Sequence, residues 1–287
     1  MRIHYDVDSL ENRDPRAIAQ LDRLLGPFLE RWFEPEVRGL GQIPDGPALY
    51  VGNHNGGLCS ADTFILGTHL HRERGLGAVP YGLAHQWVLG WPLVHQLLVP
   101  LGAVRACHRN AHRIFDRGGK VLVYPGGDID SVRPSHQRDR IVFGPRRGYV
   151  KLALRAGVPI VPIVAAGAHD TFHVFDDGRW LAEALGLHRH FRLDVFPTTL
   201  SIPWGLSVGA MLPYFPLPTR ILIEAMEPVV FDRRGEEAAR DDAYVEACHR
   251  RVHGAMERTL RRLLVERARR GPPRAAIFAR AATRAAA

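Results

Sequence analysis

The chain has 287 residues, 46% of them hydrophobic and 24% charged, a balance that excludes a disordered chain and supplies a full core without disulfide staples. Its net charge of +8 calls for an anionic partner, either nucleic acid or a membrane surface. Cys59, Cys107 and Cys248 are few and widely spaced, which argues for a reducing compartment, and the charged start of the chain lacks the apolar run of a secretory signal; both point to the cytoplasm.

In chain order, residues 15–33 place Ile18, Leu21, Leu24, Leu25, Phe28, Leu29 and Trp32 at the spacing of an amphipathic helix that runs across Pro27. Residues 36–45 read as a strand and turn. A short apolar strand over 48–51 feeds a turn carrying Asn53, His54, Gly56 and Gly57, and Asp62 opens a helix over 63–70. Residues 75–104 contain no Asp, Glu, Lys or Arg, yet Pro80, His85, Gln86, Pro92, His95 and Gln96 interrupt them, so they do not form one spanning helix. They read as a strand near 78–81 and helical pieces over 87–98, and they either belong to the core or face lipid, as a bilayer contact or a channel lining. A helix over 110–117 ends at Gly118 and Gly119.

The strand over 120–124 stops at Pro125-Gly126-Gly127-Asp128, where glycine allows a ligand close to the backbone at the carboxyl end of a strand. A helix over 148–156 and an apolar strand over 158–164 follow. Residues 195–219 are also free of charge and hold five prolines, which rules out one helix. A strand over 220–225 and a long amphipathic helix over 242–269 complete the pattern. Short apolar strands alternating with helices predict an α/β fold: one domain over 1–270 with a largely parallel mixed sheet flanked by helices, an N-terminal amphipathic helix and a long C-terminal helix. The Ala- and Arg-rich tail over 271–287 reads as mobile.

His54 after a strand, with Asp62 as the nearest downstream carboxylate, has the composition of a general-base pair: the carboxylate fixes the ring tautomer and stabilises the imidazolium. The alternative is a histidine that only shapes a turn. Gly205-Leu206-Ser207-Val208-Gly209 matches a nucleophile elbow, but the prolines around it deny it a strand before and a helix after, which weighs against a serine esterase. His108 with His112, and Cys248 with His249 and His253, have metal-ligand spacing without a further ligand set; they read as solvated helix faces, and no metal is expected. The basic residues gather in the last helix and tail and do not interleave with aromatics, so an anionic membrane surface under residues 252–270 fits better than nucleic acid.

Four pieces occur in a set order: Asn53-His54 with Asp62, LGAVRA over 101–106, VLVYPGGDID over 121–130, and GVPIVPI over 157–163 after the basic start GPRRGYVKLAL over 144–154. That order, covering about residues 35–230, resembles the glycerolipid and lysophospholipid acyltransferase superfamily, in the branch similar to monoacylglycerol and diacylglycerol acyltransferases. The resemblance implies transfer of a fatty acyl chain from an acyl thioester, acyl-CoA or acyl carrier protein, to a hydroxyl of a lipid acceptor at the inner membrane face. It needs no cofactor beyond that co-substrate. His54 would be the general base and Asp62 its orienting partner. Arg105, Gly126, Gly127 and Asp128 would place the acceptor, with Asp130 in reserve, and Val161 and Pro162 would shape the acyl side. Asn53, Gly56 and Gly57 border the base, the latter two with amides for a thioester oxyanion; Arg146 and Arg147 would hold phosphate on acceptor or donor. The alternative is a non-catalytic lipid-binding relative of the same fold.

Overall fold

The computed structural model describes residues 4–57, 59–191, 193–209 and 213–276. Its elements run α1 (Pro15–Phe33), β1 (Glu36–Arg38), β2 (Ala48–Gly52), α2 (Ala61–Arg74), β3 (Tyr81–Ala84), α3 (Gln86–Leu89), α4 (Pro92–Leu98), β4 (Ala103–Arg105), α5 (His108–Asp116), β5 (Lys120–Val123), α6 (Gly127–Ser131) and α7 (Gly148–Ala156). They continue with β6 (Ile160–Ala166), β7 (His173–Asp176), α8 (Arg179–Ala184), α9 (Leu187–Phe191), β8 (Thr198–Ser201), β9 (Gly205–Val208), β10 (Leu222–Ala225), α10 (Glu236–Arg240) and α11 (Asp242–Arg270). In α1, the Asp14 side chain accepts from the Arg16 amide and Pro15 holds the first position, so the helix starts where its orphan amides are met.

The main sheet has the order β1-β10-β6-β2-β5-β3-β4. β6, β2, β5, β3 and β4 are parallel, while β10 pairs antiparallel with β6 and carries β1 parallel to itself. Every residue of β2 is buried, and alternation sends its side chains to two cores. Leu49 and Val51 pack with α5, α7 and α11, whereas Ala48 and Tyr50 pack with α1 and α2. The chain therefore leaves β2 into α2 on one face of the sheet, whereas after β5 it passes through α6 before α7 packs on the other face. Between the carboxyl ends of β2 and β5 lies the crevice that open α/β sheets offer to ligands.

A second, three-stranded antiparallel sheet, β7-β8-β9, was not legible in the sequence. Pro197 and Pro203 read there as breakers, yet both lie just outside β8. Ser207 sits inside β9, paired with Thr199, so Gly205–Gly209 is a hairpin strand and not a nucleophile elbow. Cys248 and His249 are buried, with His249 bonded to the Tyr149 hydroxyl at 2.9 Å; the expected solvated face is a packed one. In the tail, residues 271–276 are docked, the Arg274 amide donating to Glu34 and Arg220 to the Gly271 carbonyl, whereas residues 277–287 lie outside the described residues. Among the described residues no helix is long and apolar enough to cross a membrane.

Met256 of α11 has no exposed surface and lies in the core that joins this helix to the sheet. Met256→Ala is expected to destabilise the fold by about 2–5 kcal/mol, read as a lower urea midpoint at unchanged m-value.

Candidate active site

The crevice opens into a cavity of about 640 Å³, within the range of small-molecule sites. Apolar lining comes from Ile18 and Leu21 of α1, Phe64 of α2, Leu83 of β3, Trp87 of α3 and Leu98 of α4. The charge-free stretch over 75–104 thus forms one wall. The polar lining includes His54, Ser60, Asp128, Arg146, His188 and Asp194, with Asp22 of α1, His71 of α2 and His85 just before α3.

His54 follows β2, is partly exposed and lines this cavity, with Tyr124 tilted against its ring at a centroid distance of 4.6 Å. Gly52 makes that contact possible: a Cβ there would lie 2.5 Å from the Tyr124 ring. The Tyr124 hydroxyl meets Thr63 Oγ1 at 2.5 Å, which fixes the ring. Ser60 Oγ stands 3.4 Å from His54 Nδ1 and 3.0 Å from the Asn55 carbonyl. A hydroxyl that donates to that carbonyl presents a lone pair to Nδ1–H, which leaves Nε2 as the basic nitrogen. Burial lowers the His54 pKa to about 4, against the opposing pull of the Asn55 backbone and Asp128, so the ring is neutral at physiological pH.

Asp62 lies at the start of α2 and is buried. Its carboxylate accepts from Asn55 Nδ2 at 2.9 Å and from the Thr63 amide at 3.0 Å, and no hydrogen bond joins it to the His54 ring among the described residues. Asn55 and Ser60 stand between base and carboxylate. Burial raises the Asp62 pKa to about 6 despite those hydrogen bonds.

The His54 backbone is gripped from both sides by a fully buried ion pair. Its amide donates to Asp130 Oδ2 at 2.7 Å, and its carbonyl accepts from Arg133 Nη1 at 2.8 Å. Arg133 also donates to Asn55 Oδ1 at 2.9 Å and to Asp130 Oδ1 at 3.2 Å. One guanidinium thereby fixes the base, its asparagine neighbour and the loop after β5.

Residues 34–166 match the family model described as Acyltransferase. An uncharacterised protein of Mycobacterium tuberculosis is 31% identical over 92% of this chain and 71% of its own length. The chain belongs to the acyltransferase family. Within the glycerolipid superfamily its likeness is to the diacylglycerol acyltransferase branch. A human DGAT1/2-independent enzyme synthesizing storage lipids is 28% identical over 64% of this chain and 56% of its own, and human diacylglycerol O-acyltransferase 2 is 24% identical over 47% and 40%. A solved 1-acyl-sn-glycerophosphate acyltransferase from Thermotoga maritima superimposes with a TM-score of 0.48 at 17% identity, over 83% of this chain and 79% of that one.

In this acyltransferase His54, Gly57, Gly127, Asp128 and Arg146 come together around the cavity. Gly127, at φ +52°, has Arg146 Nη1 2.5 Å from where its Cβ would stand, so glycine there gives the guanidinium room. Other expected residues act elsewhere. Both ends of the Asn53 amide are bonded to the Ala165 backbone at 2.9 Å, tying β2 to β6. Gly56 is packed against Cys59, Thr171 and Tyr214, and the Gly57 amide donates to the Ser131 carbonyl, which removes it as an oxyanion donor. Gly126 is a packing position, its Cβ site lying 2.3 Å from Asp130 Cβ. Arg105 is paired with Asp8 and Arg147 with Glu246, and neither lines the cavity. Val161 is buried in the core of α1 and α2, and Pro162 pairs with Val51 within the sheet, both away from the cavity lining. The sequence reading missed Ser60, Tyr124, Arg133 and Asp194. Only Arg133 had a local signal, its helical-turn spacing of three from Asp130.

Arg133→Met strands the buried Asp130 carboxylate and is expected to destabilise the fold by about 3–5 kcal/mol, measured as a fall in melting temperature.

Proposed function

We propose that the protein moves a fatty acyl chain from an acyl thioester, acyl-CoA or acyl carrier protein, onto a hydroxyl of a neutral glycerolipid. The observation that carries this reading is a neutral His54, with Nδ1 toward Ser60, facing a largely apolar cavity at the carboxyl ends of β2 and β5. In this scheme Nε2 takes the proton from the acceptor hydroxyl as its oxygen attacks the thioester carbon. The tetrahedral adduct collapses with cleavage of the C–S bond, and the leaving thiolate takes the proton from the imidazolium. No acyl-enzyme forms, and no serine or cysteine nucleophile is needed. Asp62 acts through Asn55 and Ser60, holding the loop and favouring the charge that appears on the ring.

A neutral acceptor is favoured by charge. Among the described residues Arg146 supplies the guanidinium in the cavity lining, and it is bonded to Asp128 at 2.9 Å and to Asp194 at 2.7 Å. Two carboxylates around this guanidinium, with His188 also on Asp194, leave little free positive charge among the described residues for a phosphate monoester and suit hydroxyl and ester groups. Relatives named for diacylglycerol acylation and storage-lipid synthesis point the same way.

Thiol release from acyl-CoA is expected with monoacylglycerol or diacylglycerol, and little with lysophosphatidic acid. His54→Ala is expected to lower kcat by about 10²–10⁴-fold; acceptor-independent binding of lipid with no turnover in the wild type would leave a lipid carrier of this fold instead.

Activity in this scheme needs Asp62 ionised and His54 neutral. The acid limb of kcat/KM is therefore expected at about 6, where Asp62 takes up its proton, and the residual activity of Asp62→Asn is expected to keep a limb near 4, where His54 does.

A further inference from the structure

The three-stranded sheet is apolar on the wrong side for a protein in water. Its inner face, with Val174 and Thr199, is buried against the body of the protein. Leu200 and Leu206 are directly paired across β8 and β9 and so share the outer face, where they are 46% and 67% exposed. Val208, opposite Thr198, shares that face, and the bridge between Ile202 and Phe215 extends it beyond the hairpin. Trp204, at the turn, is half exposed, with its indole N–H bonded to the Pro213 carbonyl. Residues 195–219 contain no ionisable side chain other than Tyr214, which is buried.

The band continues to the cavity. Phe215 packs on Phe28 and Trp32 of α1 at centroid distances of 6.0 and 5.3 Å. Leu24, 74% exposed, and then Leu21, which lines the cavity, follow along the same flank of that helix. Arg31 stands two turns after Leu24 on that flank, exposed and without an ion-pair partner among the described residues. In the C-terminal helix, Arg262, Arg267 and Arg270 of α11 are paired with Glu224, Asp170 and Glu266, while Arg258, Arg261 and Arg269 are exposed and have no ion-pair partner among the described residues.

We propose that the outer face of the β8–β9 hairpin, with Phe215 and the Leu24 flank of α1, is the surface on which the protein seats itself in a lipid bilayer, the aliphatic side chains among the acyl chains and Arg31 at anionic headgroups. The occupant is a bilayer because the hairpin and its Phe215 extension carry no charge, bordered by exposed His173 and Asp176 of β7 and by the unpaired Arg31, and because the band is continuous with a cavity that takes lipid. The last of these arguments rests on the acyltransferase reading above. This adds, at the hairpin and α1, a contact separate from the one expected under residues 252–270.

The test compares wild type with Leu200→Ser/Leu206→Asp by sedimentation with vesicles of phosphatidylcholine containing phosphatidylglycerol. Both changes fall on exposed positions, so the melting temperature is expected to hold while vesicle partitioning drops by about a hundredfold. Arg31→Glu is expected to reduce binding to the anionic vesicles and leave binding to pure phosphatidylcholine unchanged. Equal partitioning of wild type and double variant overturns the proposal, as does a wild-type dimer in analytical ultracentrifugation that the double variant abolishes, since the face then belongs to a second copy. Turnover of a short-chain, water-soluble thioester and alcohol, run in parallel, is expected to be equal in the two proteins. Its absence in both, with partitioning still split, refutes the catalytic reading and leaves the seating surface standing.

Discussion

The buried pair of Asp130 and Arg133 is the interaction on which the site depends. Their side chains are 0% and 1% exposed, and each is bonded to the backbone of His54, one at the amide and one at the carbonyl. A charge so deep is tolerable only when its partner and further hydrogen bonds are all in place. Arg133 meets that condition by donating also to Asn55, Gln137 and Arg138. The pair therefore ties the orientation of the base to the integrity of the loops after both β2 and β5. An imidazole on a short glycine-containing turn would otherwise have wide freedom.

Around that anchor the sheet supplies the space. Because α2 follows β2 on one face of the sheet and α7 follows the β5 loop on the other, a crevice lies between the carboxyl ends of the two strands. α1, α2 and the 75–104 stretch enclose it with aliphatic and indole side chains, and Asp128, Arg146 and Asp194 close its polar side as one hydrogen-bonded group. Low polarity explains the electrostatics of the base. The same exclusion of water that holds His54 neutral raises Asp62, so base and carboxylate are both moved toward their uncharged forms by one cause.

The main sheet and its long helices were legible in sequence because their signals are local. Residues 15–33 and 148–156 have the expected helical bounds, and β2 and β5 read as short apolar runs next to glycine. His54, Gly127 and Asp128, named from motif order, and Arg146, expected to hold phosphate, all line the cavity, where Arg146 is bonded to Asp128 and Asp194. The parts that were not legible depend on distant partners. Asn53 looked like a site residue, and only the fold shows that Ala165, 112 positions away, takes both ends of its amide. Asp194 reaches Arg146 from a segment with no motif. The three-stranded sheet inverts the usual rule, burying threonine and exposing leucine, so alternation gave no usable pattern. Asp62 was read as touching the ring because it is the nearest carboxylate in sequence; Asn55 was overlooked as the group it holds.

α1 has two tasks on one continuous helix, with Pro27 between them. Leu21 forms part of the cavity wall, and Trp32 donates its indole N–H to the Pro216 carbonyl at 2.9 Å. Eleven residues of continuous helix join them, about 16 Å. A tilt of this helix that widens the cavity entrance must drag the proline-rich segment with it, and a force on that segment must be felt at the entrance. Through α1, the cavity wall and the proline-rich segment beside the outer sheet are mechanically joined.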